Sequence, residues 1–361
     1  MRSRLAFRLS IVLSVFGLLA AACSSDDPST ASGTSPVAAD CTPAESPIVT
    51  VTAYSNVYDV YGKLISTFQS DWKESHNDQQ IQFSTSFGGS TTQAQNVIAG
   101  FPADVAALSL YPDIQLIEDA GLITHDPTQD PEGGIVASSA VVFDVRPGNP
   151  LDIDNWDDLA KPGVEILTPD PASSGGARWN IVAAYGAAMR GEVPGYAAND
   201  PAAAQQLLTD IFSNVTVMDK SANDSIKNFQ AGNGDVAITY EYAVLAAQAQ
   251  GLEDEMVIPP STVAIQTPTV LVDKNAEAHC VQDVAAAFVD FLHTDEAKEI
   301  FTDVGYERST DLKAAQSGEK GIFEPIDDLF TTDDLGGWDE LDQAVFGPDG
   351  AFTKALSTAQ G

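Results

Sequence analysis

Positive charge is scarce in this chain of 361 residues, where 17 lysines and arginines stand against 52 aspartates and glutamates for a formal net charge of −35. A protein that binds nucleic acid needs a basic surface to contact the phosphates. The composition therefore excludes nucleic acid as a partner. It does not exclude a small anionic ligand, because the field of exposed carboxylates fades over roughly 8 Å at physiological salt.

Long hydrophobic runs are also absent, apart from one near the start of the chain. Arginines precede an apolar run over residues 9–22, which is too short to span a bilayer as a mature helix. Small residues then lead to Cys23, so residues 1–23 are predicted to be an export signal with a lipobox in which Cys23 is lipidated. That lipid would anchor the protein to the cell membrane, outside the cytoplasm. Ordinary secretion with cleavage nearby is the alternative.

Cysteine is limited to three residues. If Cys23 carries a lipid, Cys41 and Cys280 remain as an even pair in an oxidising exterior, and we expect a disulfide between them. Two free thiols are the alternative. Residues 24–47 are rich in serine, threonine, aspartate, proline and alanine, so they are predicted to form a flexible tether rather than a packed domain.

Catalytic and metal-binding motifs are missing as well. None of the four histidines stands in an HExxH motif, and neither Ser90 nor Ser174 stands in a GxSxG or SxxK motif. A secreted hydrolase with one of these serines as nucleophile is the alternative of a different class. Acidic clusters at residues 126–132 and 333–334 lack the spacing of an EF-hand calcium loop. We therefore predict no catalytic residue, no metal and no cofactor.

Serine and glycine gather at the predicted starts of helices. Ser174, Gly175 and Gly176 directly precede a helical run through Trp179. The first N–H groups of a helix lack internal partners and carry the positive end of its dipole, and glycine lets a ligand approach the backbone. Together these features favour an anion-binding site.

A second stretch of this kind follows a strand-like alternation over residues 81–87. Ser90 is predicted as the N-cap of the next helix, with Gln93 at capping-box spacing. A weaker third stretch over residues 219–224 leads into another amphipathic helix. Because no cluster of lysine or arginine accompanies these helix starts, they predict an oxyanion that is held by neutral hydrogen-bond donors.

From residue 48 onward, strands alternate with helices at the spacing of an α/β fold. A strand over residues 140–146, ended by proline and glycine, is predicted as the first crossing into a second lobe. The predicted division is lobe 1 over residues 48–139 and 261–310, lobe 2 over residues 140–260, and a C-terminal closing segment over residues 311–361.

Several longer segments carry a family pattern: Gly-Gly-Ser at 88–90, Ala-Asp-Val at 103–105, Asp-Asp-Leu-Ala-Lys-Pro-Gly-Val at 157–164, Thr-Pro-Asp-Pro-Ala-Ser-Ser-Gly-Gly-Ala-Arg-Trp-Asn at 168–180, and Leu-Phe-Thr-Thr-Asp-Asp-Leu-Gly-Gly-Trp-Asp at 329–339. In them the chain resembles the sulfate/thiosulfate-binding proteins of bacterial ABC importers. The similarity covers nearly all of the chain from about residue 48 onward.

The resemblance implies a two-lobed periplasmic-binding-protein fold of type II, in which a hinge closes the lobes on the ligand. In that family the sulfate is held by backbone N–H groups, serine hydroxyls and an indole N–H. The positions that match ligand-binding positions of the family are Ser90, Ser174, Gly175, Gly176, Ala222 and Tyr240. Asp104 and Arg178 match a charged pair behind the site.

The implied function is capture of sulfate or thiosulfate by a monomeric lipoprotein, which delivers it to the permease subunits of an ABC importer and is not an enzyme. The chain also departs from the family. Ser55 and Tyr58 stand where the family often has aspartate and arginine, and Tyr240 stands where it usually has tryptophan. The family usually has Gly-Ala-Arg-Gly where this chain has residues 221–224, so Asp224 stands in place of a glycine. Because Tyr240 and Asp224 can accept hydrogen bonds, another tetrahedral oxyanion, phosphate or molybdate, remains an alternative.

Overall fold

The computed structural model describes residue 41 and residues 45–318 and 321–359. The predicted signal peptide, including Cys23, and most of the predicted tether lie outside the described residues. None of the helices in the described ranges combines the length and the apolar character that a membrane span requires.

Strands and helices alternate through the first two thirds of the described chain. The strands are β1 Ile48–Tyr54, β2 Gln82–Gly88, β3 Val105–Ala107, β4 Ile135–Val145, β5 Ile166–Pro169, β6 Val215–Asp219, β7 Val236–Tyr240, β8 Glu255–Val257, β9 Ser261–Leu271 and β10 Asp328–Phe330. The α-helices are α1 Tyr58–Ser75, α2 Ser90–Ile98, α3 Tyr111–Asp119, α4 Gly175–Arg190, α5 Pro201–Phe212, α6 Ala222–Gln230, α7 Glu241–Ala249, α8 Asp273–His279, α9 Gln282–Leu292, α10 Asp295–Asp303, α11 Leu312–Ser317, α12 Gly337–Leu341 and α13 Ala351–Ala359. The predicted α/β class is confirmed.

The strands form one sheet in the order β2-β1-β3-β9-β4-β7-β5-β6, with β10 beside β9 and β8 beside β4. In the first lobe, β1 pairs in parallel with β2 and β3, and in the second lobe, β5 pairs in parallel with β6 and β7. The long strands β4 and β9 are antiparallel and join the two lobes. β4 pairs with β9 up to Ala140 and with β7 from Val141 onward.

The parallel pairing determines where a ligand can bind. The carboxyl ends of neighbouring parallel strands lie at the same edge of a sheet, and in α/β folds the ligand crevice opens at that edge. β1 ends at Tyr54, β2 at Gly88 and β7 at Tyr240. Helices α2, α4, α6 and α7 begin within a few residues of such strand ends, so their amino termini share this edge.

The C-terminal part of the chain packs on the second lobe. Phe352 of α13 meets Phe212 of α5 edge to face, with ring centroids 4.9 Å apart. Trp338 packs in the same geometry on Trp179 of α4, at 4.9 Å. Aromatic pairs of this kind bury large apolar areas and add specific geometry. The second pair holds Trp179 in α4, the helix that begins at the predicted anion site.

Asp144 is a buried carboxyl group near the carboxyl end of β4. Its side chain is fully buried, and neither carboxylate oxygen has a hydrogen-bond partner among the described residues. Burial raises the pKa of Asp144 to about 8, the charge of Asp254 adds to this rise, and Arg146 opposes it. In the unfolded chain the pKa of an aspartate is about 3.9. Ionisation of Asp144 therefore destabilises the folded protein progressively from about pH 4 to about pH 8.

Replacing Asp144 with asparagine should stabilise the protein at neutral pH. The amide keeps the shape of the carboxyl group but cannot ionise, so we expect a gain of roughly 2 kcal/mol or more at pH 7. The gain should shrink toward zero below about pH 4, where the native carboxyl group is protonated in both states. Denaturant unfolding at several pH values measures this difference. Asp71→Asn at an exposed position is the control and should change stability little at any pH; a gain from Asp144→Asn that did not vary with pH would contradict the argument.

Candidate functional site

The amino terminus of α4 is built by a turn after β5. The carbonyl oxygen of Asp170 accepts the N–H groups of Ser173 (3.1 Å) and Ser174 (2.9 Å). Ser174 is the N-cap of α4 in an extended conformation, and its hydroxyl does not cap the helix. The hydroxyl is thus left for another partner. Gly175 and Gly176 form the first turn, where the N–H groups lack partners within the helix.

The amino terminus of α2 differs from the prediction. Gly89 is the N-cap and Ser90 is the first residue of the helix, so the predicted Ser90 cap is wrong. The Ser90 hydroxyl donates to a carboxylate oxygen of Asp113 (2.5 Å) and accepts the N–H of Ser109 (3.0 Å). The predicted capping box is also wrong, because the Gln93 amide donates to Ser86 Oγ (3.0 Å) instead. A hydrogen bond to a carboxylate is stronger than a capping bond and keeps the serine side chain turned away from its own helix.

The third helix start behaves as an ordinary cap. Ser221 is the N-cap of α6, and its hydroxyl accepts the N–H of Asp224 (3.2 Å) and donates to the Asp224 carboxylate (2.8 Å). The amide N–H of Asn223 lies 3.5 Å from the hydroxyl of Ser55, so α6 of the second lobe meets the end of β1 in the first lobe.

These helix starts surround one small cavity between the two lobes. Its lining comes from both lobes: Tyr54, Ser55, Asn56, Gly88, Gly89, Ser90, Ser109, Ser174, Gly176, Ala222, Tyr240 and Tyr242. The structure thus brings together five predicted residues: Ser90, Ser174, Gly176, Ala222 and Tyr240. Gly175, the sixth, lies directly behind the lining, with its Cα facing the Ser109 hydroxyl and Leu110. Asp224 lines a wider groove outside the cavity, together with Lys220 and Lys227.

Sequence reasoning missed several of the lining residues. Tyr54 ends β1 and Tyr242 lies in the first turn of α7, and their rings lie beside that of Tyr240, with centroids 6.5 Å and 5.4 Å from it. Burial raises the pKa of Tyr54, Tyr240 and Tyr242 above the usual value, so all three hydroxyls keep their protons at physiological pH. The sequence does carry one indication of Tyr54 and Tyr242, which is their position at or just after the end of a predicted strand. A strand that ends at the ligand-binding edge places its last side chains in the crevice.

Four of the buried polar groups that lack a hydrogen bond to a described protein atom line the cavity. The hydroxyls of Ser109, Tyr240 and Tyr242 and the amide nitrogen of Asn56 are buried without a hydrogen bond of ordinary geometry to any described protein atom. Buried polar groups are nearly always paired, so such a cluster calls for a partner from outside the protein. All four groups can donate a hydrogen bond.

Charged side chains are absent from the described lining of the cavity. Several helix amino termini face it instead, each carrying roughly half a positive elementary charge. A buried carboxyl group behind the lining, that of Asp113, accepts hydrogen bonds from Ser90 and Thr91. Burial raises the pKa of Asp113, whereas the two hydroxyls and the charge of Arg178 lower it. The cavity therefore attracts a compact anion through neutral donors.

The predicted pair of Asp104 and Arg178 is wrong. Asp104 lies at the amino end of β3, at the edge of the sheet opposite the cavity, where it accepts the N–H of Thr50 (2.7 Å) and pairs with His279 (2.6 Å). Arg178 points along α4 toward the C-terminal part of the chain and pairs with Asp342. Its guanidinium also lies over the ring of Phe346, 4.2 Å from the centroid. Arg178 supports α4 from behind, and Asp113 is the carboxyl group that its charge affects.

The two described cysteines, Cys41 and Cys280, do not line the cavity. The structure joins Cys41 to Cys280 by a disulfide, at the residue that follows α8. Within the described ranges, no three acidic, histidine or cysteine side chains come together in an arrangement able to hold a metal ion.

Comparison with known proteins identifies the family. The family described as bacterial extracellular solute-binding protein matches residues 49–307. The chain belongs to this family. Its members are defined by binding a solute outside the cytoplasm, which agrees with a cavity lined by donors from both lobes.

Individual relatives narrow the comparison. A sulfate-binding protein of Synechococcus elongatus is 38% identical over 314 residues, which are 87% of this chain and 87% of the relative. A sulfate-binding protein of Escherichia coli is 36% identical, covering 83% of this chain and 90% of the relative. The solved structure of the sulfate-binding protein SubI from Mycobacterium tuberculosis is 32% identical, covers 83% of this chain and all (100%) of that chain, and superposes with a TM-score of 0.74. The resemblance and the two-lobed fold expected from the sequence are confirmed.

Proposed function

We propose that this protein captures sulfate, or thiosulfate, outside the cytoplasm and delivers it to an ABC importer. The observation that carries the proposal is the convergence of helix amino termini and unpaired hydroxyls from both lobes on one cavity without a charged lining. Sulfate-binding relatives at 38% and 36% identity over most of the chain support the choice of anion.

The donors are sufficient for useful affinity. A hydrogen bond to a charged group contributes roughly 1.5–3 kcal/mol net. Micromolar binding needs about 8 kcal/mol after the costs of association. The Ser174 hydroxyl, the amides of Gly175, Gly176 and Ala222, and the Tyr240 hydroxyl would together reach that value. Ser90 would contribute its backbone N–H, because its hydroxyl proton is engaged by Asp113.

The geometry favours a fully ionised anion over phosphate. Sulfate carries no proton at neutral pH, whereas phosphate does and needs an acceptor in the site. No carboxylate lines the described cavity, and Asp224, one of the two acceptors that favoured phosphate or molybdate on sequence grounds, lies in the outer groove. The other, Tyr240, lines the cavity as a protonated hydroxyl, which can donate to the anion. We therefore place sulfate and thiosulfate ahead of phosphate. Molybdate is as fully ionised as sulfate, and the sulfate-binding relatives are what place sulfate ahead of it.

Closure of the lobes would provide the signal that the importer recognises. The ligand would bind between the lobes and stabilise the closed form, because only that form offers donors from both sides. The hinge would be β4 and β9. We propose the lobe boundaries at residues 139/140 and 260/261, supported by the change of partner of β4 from β9 to β7 after Ala140. The protein would act as a monomer, anchored by a lipid on Cys23; mass spectrometry of the mature amino terminus tests the lipid.

Calorimetric titration of the purified protein tests the function. We expect micromolar or tighter binding of sulfate or thiosulfate and at least tenfold weaker binding of phosphate at neutral pH. Ser174→Ala should weaken sulfate binding by roughly 1–3 kcal/mol, because it removes one hydroxyl donor. Ser173→Ala is the matched control, since that neighbouring hydroxyl donates to the carbonyl of Lys220 (2.8 Å) and not to the cavity. Absence of heat with every one of these anions would reject the proposal.

A further inference from the structure

Ser109 lies at the junction of the two anion-facing helices. It follows β3, and its backbone N–H donates to the hydroxyl of Ser90 on α2 (3.0 Å). Its carbonyl oxygen accepts the indole N–H of Trp179 on α4 (2.6 Å). Both backbone groups are therefore fixed by hydrogen bonds, one to each lobe, and the position of the side chain is well defined.

The hydroxyl of Ser109 has no such partner. The residue is 1% exposed, and its Oγ makes no hydrogen bond of ordinary geometry to a described protein atom. It lines the cavity beside the amino terminus of α4: a Cβ atom added to Gly175 would collide with this Oγ. The Tyr240 hydroxyl, also buried and unpaired, lines the same cavity and is close enough for the Ser109 hydroxyl to affect its pKa.

Ser109 therefore offers the hydroxyl that the sequence predicts at Ser90. The proton of the Ser90 hydroxyl is donated to Asp113, so it is not available to a ligand. The Ser109 hydroxyl faces that of Tyr240; burial raises the pKa of Tyr240 and hydrogen bonding between the two hydroxyls lowers it, but neither hydroxyl has a carboxylate or a well-aligned bond to hold its proton. Both can therefore turn to an acceptor from outside the protein. Because a hydroxyl can rotate, it can meet a ligand oxygen that the rigid amides of α4 do not reach.

We infer that Ser109 contacts the bound anion directly and, together with Tyr240, is a specificity-determining residue of the site. This inference rests on the proposed function, because the ligand is the oxyanion held by the helix amino termini. The two hydroxyls would donate to oxygens of the anion on the side facing β7. Neither hydroxyl would contribute through charge, so the pair would favour a ligand with several acceptors in a small volume.

The decisive variant is Ser109→Ala, compared with Ser139→Ala. Ser139 on β4 is fully buried and has an equally unpaired hydroxyl, but it does not line the cavity. In titrations with sulfate and with thiosulfate, we expect Ser109→Ala to raise the dissociation constant of the preferred anion by about 10- to 100-fold and Ser139→Ala to change it less than about 2-fold.

Thermal unfolding with and without anion separates ligand contact from a structural role. Ser109→Ala should unfold without ligand at the wild-type temperature or slightly above it, while its anion-induced shift becomes smaller. In Ser109→Ala/Tyr240→Phe the losses should not add, because the hydroxyls share one ligand. A wild-type dissociation constant for Ser109→Ala would overturn the inference and leave the proposed function intact. A wild type that binds neither anion would overturn both.

Discussion

Replacing Gly89 with alanine should weaken sulfate binding by about 100-fold without unfolding the protein. Gly89 is the N-cap of α2 in the first lobe. A Cβ atom at this residue would run into the backbone carbonyl of Ser173 and lie 3.0 Å from that of Lys220, both in the second lobe. Backbone carbonyls cannot rotate away as side chains do, so the lobes would have to separate.

The alanine at position 89 should affect only the closing of the two lobes, because the backbone of Gly89 is unstrained. Its φ of −60° and ψ of 133° suit any residue, so alanine costs nothing locally when the lobes are apart. In the closed form the lobes meet tightly here: the N–H and the hydroxyl of Thr92 both lie 3.4 Å from the carbonyl oxygen of Ser173. Overpacking such a contact costs about 1–3 kcal/mol, and a loss of about 2.7 kcal/mol corresponds to 100-fold in affinity.

Calorimetry with sulfate measures the loss, and small-angle scattering with saturating sulfate shows whether the lobes close. Gly62→Ala is the matched control, because a Cβ atom there meets open space and the residue lies inside α1, where alanine is the better helix former. This control should bind sulfate like the wild type. If Gly89→Ala bound as tightly as the wild type, or compacted equally with sulfate, Gly89 would not lie in a closing contact.

The sequence predicted the features that depend on short-range patterns. The alternation of strands and helices and the helix starts at residues 174–176 and 219–224 are local, and the structure has them within a few residues. The crossing strand was predicted over residues 140–146, but it spans Ile135–Val145. Its first part contains Ser138 and Ser139, which interrupt the apolar run although both are buried.

The errors involve partners that are distant in the sequence. Ser90 looked like an N-cap, but its hydroxyl bonds Asp113, which is 23 positions away. Asp104 and Arg178 pair with His279 and Asp342, at separations of 175 and 164 positions. Such choices are decided by which charged group the fold brings near, and no local pattern encodes that. Ser109 was missed for the same reason, because a lone serine after an apolar strand carries no signal of its own.

A buried ionic cluster lies close to the tyrosines of the cavity. The side chain of Arg308 is 1% exposed, and its guanidinium donates two hydrogen bonds, of 2.5 Å and 2.7 Å, to the carboxylate of Glu241, the first residue of α7. Its Nη1 donates to the backbone carbonyl of Ala315, and its Nη2, besides binding Glu241, donates to the backbone carbonyl of Glu324 (2.7 Å). The backbone of Arg308 pairs with Ser138 of β4. Arg308 thus links β4 through its backbone, and the second lobe and the C-terminal part through its side chain.

Glu307 adds a second carboxyl group to this cluster. It is 1% exposed, and the Tyr54 hydroxyl, which lines the cavity, lies 3.5 Å from it. Burial and the charge of Glu241 raise the pKa of Glu307 well above its usual value, which favours its neutral form. Burial also raises the pKa of Glu241, whereas the hydrogen bonds and the charge of Arg308 lower it, so Arg308 favours the ionised form of Glu241.

Arg308→Met should destabilise the protein by roughly 3–5 kcal/mol at pH 7, because it leaves the Glu241 carboxylate buried without a cation. The midpoint of thermal unfolding should fall by about 6 °C or more. The loss should shrink progressively as the pH falls toward about 4, because burial raises the pKa of Glu241 and protonation removes the isolated charge in the folded state before the unfolded chain takes up the proton.

Two further variants separate the buried charge from the loss of a long side chain. Lys274→Met breaks an exposed ion pair with Glu277 and should cost less than about 1 kcal/mol. Arg308→Met/Glu241→Gln removes both buried charges and should recover part of the loss, because the desolvated carboxylate rather than the missing guanidinium causes it. If the double variant were no more stable than Arg308→Met, the hydrogen bonds of Arg308 to the C-terminal carbonyls, and not its charge, would be what holds the hinge.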